Sequence, residues 1–398
     1  MPGIYFHIPF CEHKCIYCDF YSIETLDPVD EFLAALRREI KEHPSSGSPE
    51  EFTTIFFGGG TPSLLEPRVI GELIGLVTKT FRIAAGAEVT LEANPGTVDL
   101  NKLKGYRDAG VNRLSFGIQS FHEDDLRFLT RIHSSGQAIQ GVRMAREAGF
   151  GNVSLDLIFA LPGQTMSRWE QNLRQAVELE PGHISAYSLI VEPKTPLFEM
   201  VKTRQVSTLP VETEAEQYEF TMQFLHAAGY EHYEVSNYAR PGFQSKHNSG
   251  YWNHSNYIGF GPSAHSFSGN RRWWNTRSVR AYCDALASGK SPVAGSETLT
   301  KTQLLDEAVM LGLRGEGLDL AALRARYGVN LHERKSLELQ DCITGGLAIL
   351  DGETLRLTDK GYLLCDEICE LLLARVDPDA DSLRLLQNSS ILTANAAG

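Results

Sequence analysis

Thr53-Thr-Ile-Phe-Phe-Gly-Gly-Gly-Thr-Pro62 opens as a run of β-branched and aromatic residues and passes through three glycines. Pro67–Phe81 comes next, with apolar residues at helical intervals. The stretch reads as one strand, one turn and one helix, a βα unit, and the pattern repeats on either side. Strands are predicted at Ile4–Pro9, Thr53–Phe57, Glu88–Ala93, Arg113–Gln119, Asn152–Phe159 and Ile184–Val191. Between them, helices are predicted at Val29–Glu42, Pro67–Phe81, Asn101–Ala109, Asp124–Phe128, Ser135–Ala148 and Ser167–Leu179. Consecutive βα units with short connections require a parallel sheet, because each crossover returns the chain to the same end of the sheet. The expected fold is α/β, a partial (β/α)6 TIM-type barrel. The polar and glycine-rich residues just beyond the strands should converge on one mouth.

The barrel core is assigned to residues 1–206. The rhythm then changes to a helix at Glu212–Ala228, an aromatic stretch at Tyr230–Tyr238 and a Gly, His and Trp-rich segment at Lys246–Trp274, read as a bridging region over 207–294. Residues 295–376 are mostly helical, and Leu347–Thr358 reads as a hairpin with an Asp351-Gly352 turn, giving a winged-helix-like C-terminal domain. Residues 377–398 are small and polar, a flexible tail.

Of 398 residues, 42% are hydrophobic and 22% charged, the composition of a globular protein. No window of about 20 apolar residues exists, and the N-terminus lacks the order of a secretory signal, so the expectation is a cytoplasmic protein without a membrane span. A net charge of −13, from 37 Lys and Arg against 50 Asp and Glu, disfavours nucleic acid and anionic membranes as partners. Residues 295–398 hold 10 basic against 17 acidic side chains, so the winged module is expected to cap the barrel rather than to bind DNA.

Seven cysteines are spread unevenly: Cys11, Cys15 and Cys18 lie together, while Cys283, Cys342, Cys365 and Cys369 are scattered and read as buried thiols. Three thiolates in the loop after the first strand can surround one inorganic centre. A zinc site would need a fourth ligand, His7 or His13. A 4Fe-4S cluster instead takes three protein sulfurs and leaves one iron open. The Cys-x3-Cys-x2-Cys spacing, with Tyr17 before the third cysteine, resembles the radical S-adenosylmethionine (SAM) superfamily. That resemblance implies that the open iron chelates the amino and carboxylate groups of SAM. It also implies an electron donor whose electron, passed through the cluster, would cleave SAM to a 5′-deoxyadenosyl radical.

At the strand ends, Gly59, Gly60 and Thr61 let a ligand approach the backbone closely. Glu92, Gln119, Arg131 and Asp156 provide the polar set that a zwitterionic, hydroxyl-bearing ligand needs, with Arg131 able to fork onto a carboxylate. The strings His-Ile-Pro-Phe-Cys, Gly-Gly-Gly-Thr-Pro-Ser, Glu-Ala-Asn-Pro-Gly-Thr, Gly-Val-Asn-Arg-Leu-Ser-Phe-Gly-Ile-Gln-Ser-Phe and Asp-Leu-Ile-Phe-Ala-Leu-Pro-Gly-Gln-Thr resemble the oxygen-independent coproporphyrinogen III oxidase family over residues 4–375. The resemblance implies a radical SAM barrel with cofactor contacts at Tyr5, Tyr17, Gly59, Gly60, Thr61, Glu92, Gln119, Arg131 and Asp156. His265 stands among these contact positions where the oxidase has an apolar residue against a second cofactor molecule, and an imidazole there disfavours that second molecule.

Two departures separate the chain from the oxidase itself. Phe20 occupies the position of a further cysteine after the cluster triad, and the long extension ahead of the first strand is missing. Both match the haem-chaperone, HemW-like branch, as does the string His247-Asn-Ser-Gly-Tyr-Trp252. An imidazole beside aromatic rings suits haem iron, so His247 is the expected haem ligand. His133 is expected to support the mouth. The branch implies a haem chaperone with a 4Fe-4S cluster, SAM and haem as cofactors, and a haem-acceptor protein, such as a respiratory enzyme, as partner. The alternative is radical decarboxylation of coproporphyrinogen III to protoporphyrinogen IX. No catalytic residue is assigned.

Overall fold

The structure, a computed structural model, describes residues 1–44 and 49–373. The expected tail, 377–398, and the end of the 295–376 segment lie outside the described residues.

The βα units are present in the expected order. They run β1 (Gly3–Ile8), α1 (Val29–Glu42), β2 (Glu51–Gly59), α2 (Pro67–Thr80), β3 (Arg82–Ala93), α3 (Leu100–Asp108), β4 (Arg113–Gln119), α4 (Glu123–Phe128), α5 (Ser135–Glu147), β5 (Val153–Phe159), α6 (Met166–Glu178) and β6 (His183–Ser188). All neighbours from β1 to β6 pair in parallel. Helix starts are marked locally: Asp99 and Thr165 cap α3 and α6 with their side chains, and Ser134 with Gln137 forms a capping box on α5.

Strand alternation sorts the side chains. Ile4, Phe6 and Ile8 of β1, Leu114, Phe116 and Ile118 of β4, and Leu155 and Leu157 of β5 are buried in the core with Phe32, Leu36, Ile70, Leu73 and Trp169 from the helices. Burying each such side chain contributes roughly 1.5–3 kcal/mol. The alternate positions face the lumen and are largely polar: Tyr5, Thr54, Glu92, Arg113, Ser115, Ser154, Asp156 and His183.

The segment 207–294 is not a bridge. After α7 (Pro196–Lys202) and α8 (Val211–Ala227), β7 (Glu231–Glu234) and β8 (Asn237–Ala239) extend the sheet antiparallel beyond β6. Then α9 (Lys246–Trp252) leads to β9 (Tyr257–Phe260), which pairs parallel to β1 at the opposite flank. β10 (His265–Ser268), β11 (Arg271–Asn275), α10 (Val279–Ala287) and β12 (Val293–Thr298) come next, and these last strands are antiparallel. The division drawn at 294/295 falls inside β12. The added strands are short and, in β12, mostly exposed, so they lack the apolar runs that reveal β1–β6. The resulting sheet of twelve strands ends at β12 and β7, a partial barrel.

The C-terminal part comprises α11 (Lys301–Arg314), β13 (Leu318–Asp319), α12 (Leu320–Tyr327), α13 (Leu331–Arg334), α14 (Ser336–Thr344), β14 (Ala348–Asp351), β15 (Thr354–Leu357), α15 (Asp359–Tyr362) and α16 (Cys365–Leu373). Its antiparallel sheet is ordered β13-β15-β14, a helical, winged arrangement. The hairpin turn is shifted by one residue from expectation. Asp351 pairs with Thr354, so the turn is Gly352-Glu353, with Gly352 at φ 59°. Glycine leads the turn because that position requires the left-handed conformation.

Candidate functional site

The cysteine loop is pinned where it leaves β1 and where it returns. Cys11 N–H donates to Ile23 O at 3.0 Å, and Ile23 N–H donates to Pro9 O at 2.8 Å. Between these ends Cys18 N–H turns back onto Cys15 O. Ile16 is held from outside by the Thr130 hydroxyl and by Leu197 N–H, so the loop lies over the C-terminal ends of the strands. Tyr17 packs against the apolar cluster of Leu129, Ile158 and Leu161.

Two of the three sulfurs receive donors from the mouth. Thr61 Oγ1 donates to Cys11 Sγ at 3.6 Å, and Arg131 Nη1 to Cys15 Sγ at 3.5 Å. Burial, with the other two cysteines alongside, pushes the Cys18 thiol up to about 12. A bound cationic centre reverses that preference by stabilising thiolates. Among the described residues no group of three or more His, Cys, Asp or Glu converges as a single metal ion requires. The fourth zinc ligands considered are both engaged: His13 pairs with Glu24 at 3.1 Å, and His7 Nε2 bonds the Tyr21 carbonyl at 2.8 Å. Three sulfurs on one loop fit a multi-iron cluster, in which each sulfur meets its own iron.

The glycine triplet does more than turn. Gly60 N–H bonds Ile8 O and Thr61 N–H bonds Phe10 O, so both donors are occupied within the protein. A Cβ at Gly60 would stand 2.6 Å from Phe10 O, and Gly59 sits at φ 104°, so both positions need glycine. What Gly60 still offers is its carbonyl, an acceptor suited to an ammonium group.

Glu92 and Asp156 are neighbours on the lumen side. Burial and the nearby Asp156 charge raise Glu92 to about 8, opposed by the Gly59 N–H bond. Burial also raises Asp156, against hydrogen bonds from Ser185, Ser115 and Ser154 and the Arg113 charge. Gln119 ends β4 at φ 67°, beside a bulge, a backbone conformation that aims its side chain at the mouth. Arg131 Nη2 donates to Gly117 O at 2.6 Å, while its buried Nε has no partner among the described residues. An orphaned guanidinium N–H beside the cluster loop fits a ligand carboxylate. Tyr5 bonds His7 Nδ1 at 3.2 Å and lies, with Glu92, against Gly58. His265 stacks on Trp274 at 5.9 Å, and His133 Nε2 bonds the Ile118 carbonyl.

His247 does not join this group. It sits at the opposite, N-terminal end of the barrel, where α9 closes the floor. Its ring is 4% exposed and stacked on Phe56, with Nδ1 on Thr54 Oγ1 at 2.7 Å and Nε2 on the Tyr251 hydroxyl at 2.9 Å. Glu88 accepts the backbone N–H of both Lys246 and His247. Burial and the Arg113 charge lower the pKa of His247 to about 3. Both ring nitrogens of the expected haem ligand are thus engaged in hydrogen bonds within the protein. Phe20, 51% exposed on the cluster loop, offers no ligand atom.

The sequence reading missed Arg113, His183 and Tyr233 in the lumen. The signal was strand alternation: Arg113 and Ser115 share a face, as do Ser154 and Asp156, and His183 and Ser185.

Residues 5–176 match the radical SAM superfamily and residues 299–364 the HemN C-terminal domain. The heme chaperone HemW of Bacillus subtilis is 38% identical over 92% of this chain and 98% of its own length. That of Lactococcus lactis is 35% identical over 93% and 96%. Coproporphyrinogen III oxidase (HemN) from Escherichia coli, a radical SAM enzyme, has the same fold at TM-score 0.79 and 24% identity, covering 94% of this chain and 91% of its own. The chain belongs to the HemW-like family of radical SAM proteins.

Proposed function

We propose that this protein is a cytoplasmic haem chaperone that holds a 4Fe-4S cluster on Cys11, Cys15 and Cys18 and binds SAM across the barrel mouth. Haem would pass from it to an acceptor such as a respiratory enzyme. The carrying observation is that Thr61, just beyond β2, and Arg131, just beyond α4, reach two of the three sulfurs while the same residues border the mouth. When bound, the cluster would supply an open iron for the amino and carboxylate groups of SAM and an electron from an external donor.

The protein's own residues do the binding. The Gly60 carbonyl accepts from the ligand's amino group, and the free Nε–H of Arg131 donates to its carboxylate. Glu92 and Asp156 accept from ribose hydroxyls, and Gln119 closes the rim. The haem assignment draws its support from the relatives that bear the name heme chaperone.

The test is anaerobic reconstitution with iron and sulfide. The wild type should hold about four irons per chain, its reduced electron paramagnetic resonance spectrum should change when SAM is added, and Cys15→Ala should abolish both. Stoichiometric zinc in their place would end the reading. Conversion of coproporphyrinogen III to protoporphyrinogen by the same preparation would replace chaperone with oxidase.

A further inference from the structure

A row of buried polar groups crosses the lumen from the floor to the mouth. Ser245 N–H donates to the Tyr233 hydroxyl at 3.2 Å, and Tyr233 meets His183 Nε2 at 2.7 Å. His183 Nδ1 meets Ser154 Oγ at 2.7 Å, and Ser154 Oγ reaches Asp156 Oδ1 at 3.4 Å. Ser245, Ser154 and His183 are fully buried, and Ser245 is the N-cap of α9, accepting Asn248 N–H on its own hydroxyl.

One assignment of protons satisfies every bond from end to end. A backbone N–H can only donate, so Tyr233 accepts from Ser245 and can give its single proton to His183 Nε2. In that assignment His183 carries its proton on Nδ1 and donates to Ser154, whose own proton goes to Asp156. An ionised carboxylate can only accept, so the chain closes without a conflict. It is the assignment of a neutral imidazole, with Nε2 accepting the Tyr233 proton. Burial and the Arg113 charge keep His183 neutral.

We propose that His183 and Tyr233 are positioning residues for Asp156, joined in a one-way hydrogen-bond chain that ties this ligand-facing carboxylate to the N-terminus of the helix carrying His247. The inference rests on the reading that SAM binds at the mouth. Its consequence is that a residue at the barrel floor, out of contact with the ligand, sets ligand affinity. Without the chain, Ser154 is free to rotate away and the carboxylate keeps only its Ser115 and Ser185 donors.

The cluster-reconstituted full chain tests this with three variants. Tyr233→Phe keeps the ring and removes the hydroxyl, His183→Phe removes donor and acceptor together, and His183→Gln supplies both again. SAM affinity by equilibrium dialysis should fall about threefold to tenfold in Tyr233→Phe and His183→Phe and stay within about twofold of wild type in His183→Gln. Nitrogen-15 histidine spectra of the wild type should give His183 as the Nδ1–H tautomer. Wild-type affinity in Tyr233→Phe at equal cluster content, or an Nε2–H tautomer, overturns the proposal, and the tautomer decides even if a variant does not fold. A wild type that binds no SAM sinks the functional reading instead, with the tautomer still reporting on the chain.

Discussion

Arg131 is committed on two sides and open on a third. Nη2 is fixed on Gly117 O and Nη1 on Cys15 Sγ, leaving Nε as the buried donor without a partner among the described residues. A lysine has one point charge and no fork, so it cannot hold a strand end, a sulfur and a carboxylate together. Arg131→Lys should weaken SAM binding by about tenfold with iron content unchanged, measured by dialysis on reconstituted protein; equal affinity would remove Arg131 from the ligand. Two buried carboxyls give a second prediction. Burial lifts Glu39 to about 7 and Glu92 to about 8. Each keeps its proton in the folded chain above the pH at which the unfolded chain releases it, so their contribution is greatest below the ordinary glutamate range and is lost as pH rises to about 8. Denaturation midpoints of the cluster-free protein should therefore fall across that window, and Glu92→Gln should flatten the upper part of the decline. A Glu92→Gln profile that overlays the wild type would mean that Glu92 ionises normally.

The α9 segment marks the boundary of what the sequence could reveal. The Cys loop, the glycine triplet and the strand-end polar residues were legible because strand periodicity and local spacing determine where a strand ends and which residues stand just beyond it. The string His247–Trp252 was legible as a motif but not as a place: its partner Thr54 is 193 residues away, and no local pattern says that the chain returns to the barrel's closed end. The polar lumen was half visible, since Glu92 near the end of β3 and Asp156 in the middle of β5 stood out while Arg113 and His183, at strand starts, did not. The floor position predicts the behaviour of His247→Ala. It leaves Thr54 and Tyr251 without their partner and opens a cavity beside Phe56, a loss of about 2–4 kcal/mol. Urea denaturation should show that loss while any haem bound retains its wild-type absorption spectrum. A mutant of unchanged stability with an altered haem spectrum would return His247 to the iron.

Across the whole molecule, the open sheet needs something other than strand pairing to secure its two flanks, and α11 meets both. Near one end Glu307 bonds Arg272 of β11 at 2.8 Å and lies 3.1 Å from His254. At the other, Arg314 O accepts Val235 N–H just after β7, while Tyr362 packs on His232 at 4.3 Å. The seven residues from Glu307 to Arg314 span roughly 10 Å of helix, so one rigid element reaches from the β12 flank to the β7 flank. Covering edges in this way also blocks pairing with other chains. Glu307→Ala removes the half-buried carboxylate that Arg272 and His254 share, at a cost of about 1–3 kcal/mol. Hydrogen exchange should then rise in β11 and β12, and in the β7–β8 hairpin as well if α11 acts as a single strut. Iron loading on the distant cysteine loop should be unaffected. Faster exchange confined to residues next to position 307 would show instead that the two flanks are held independently.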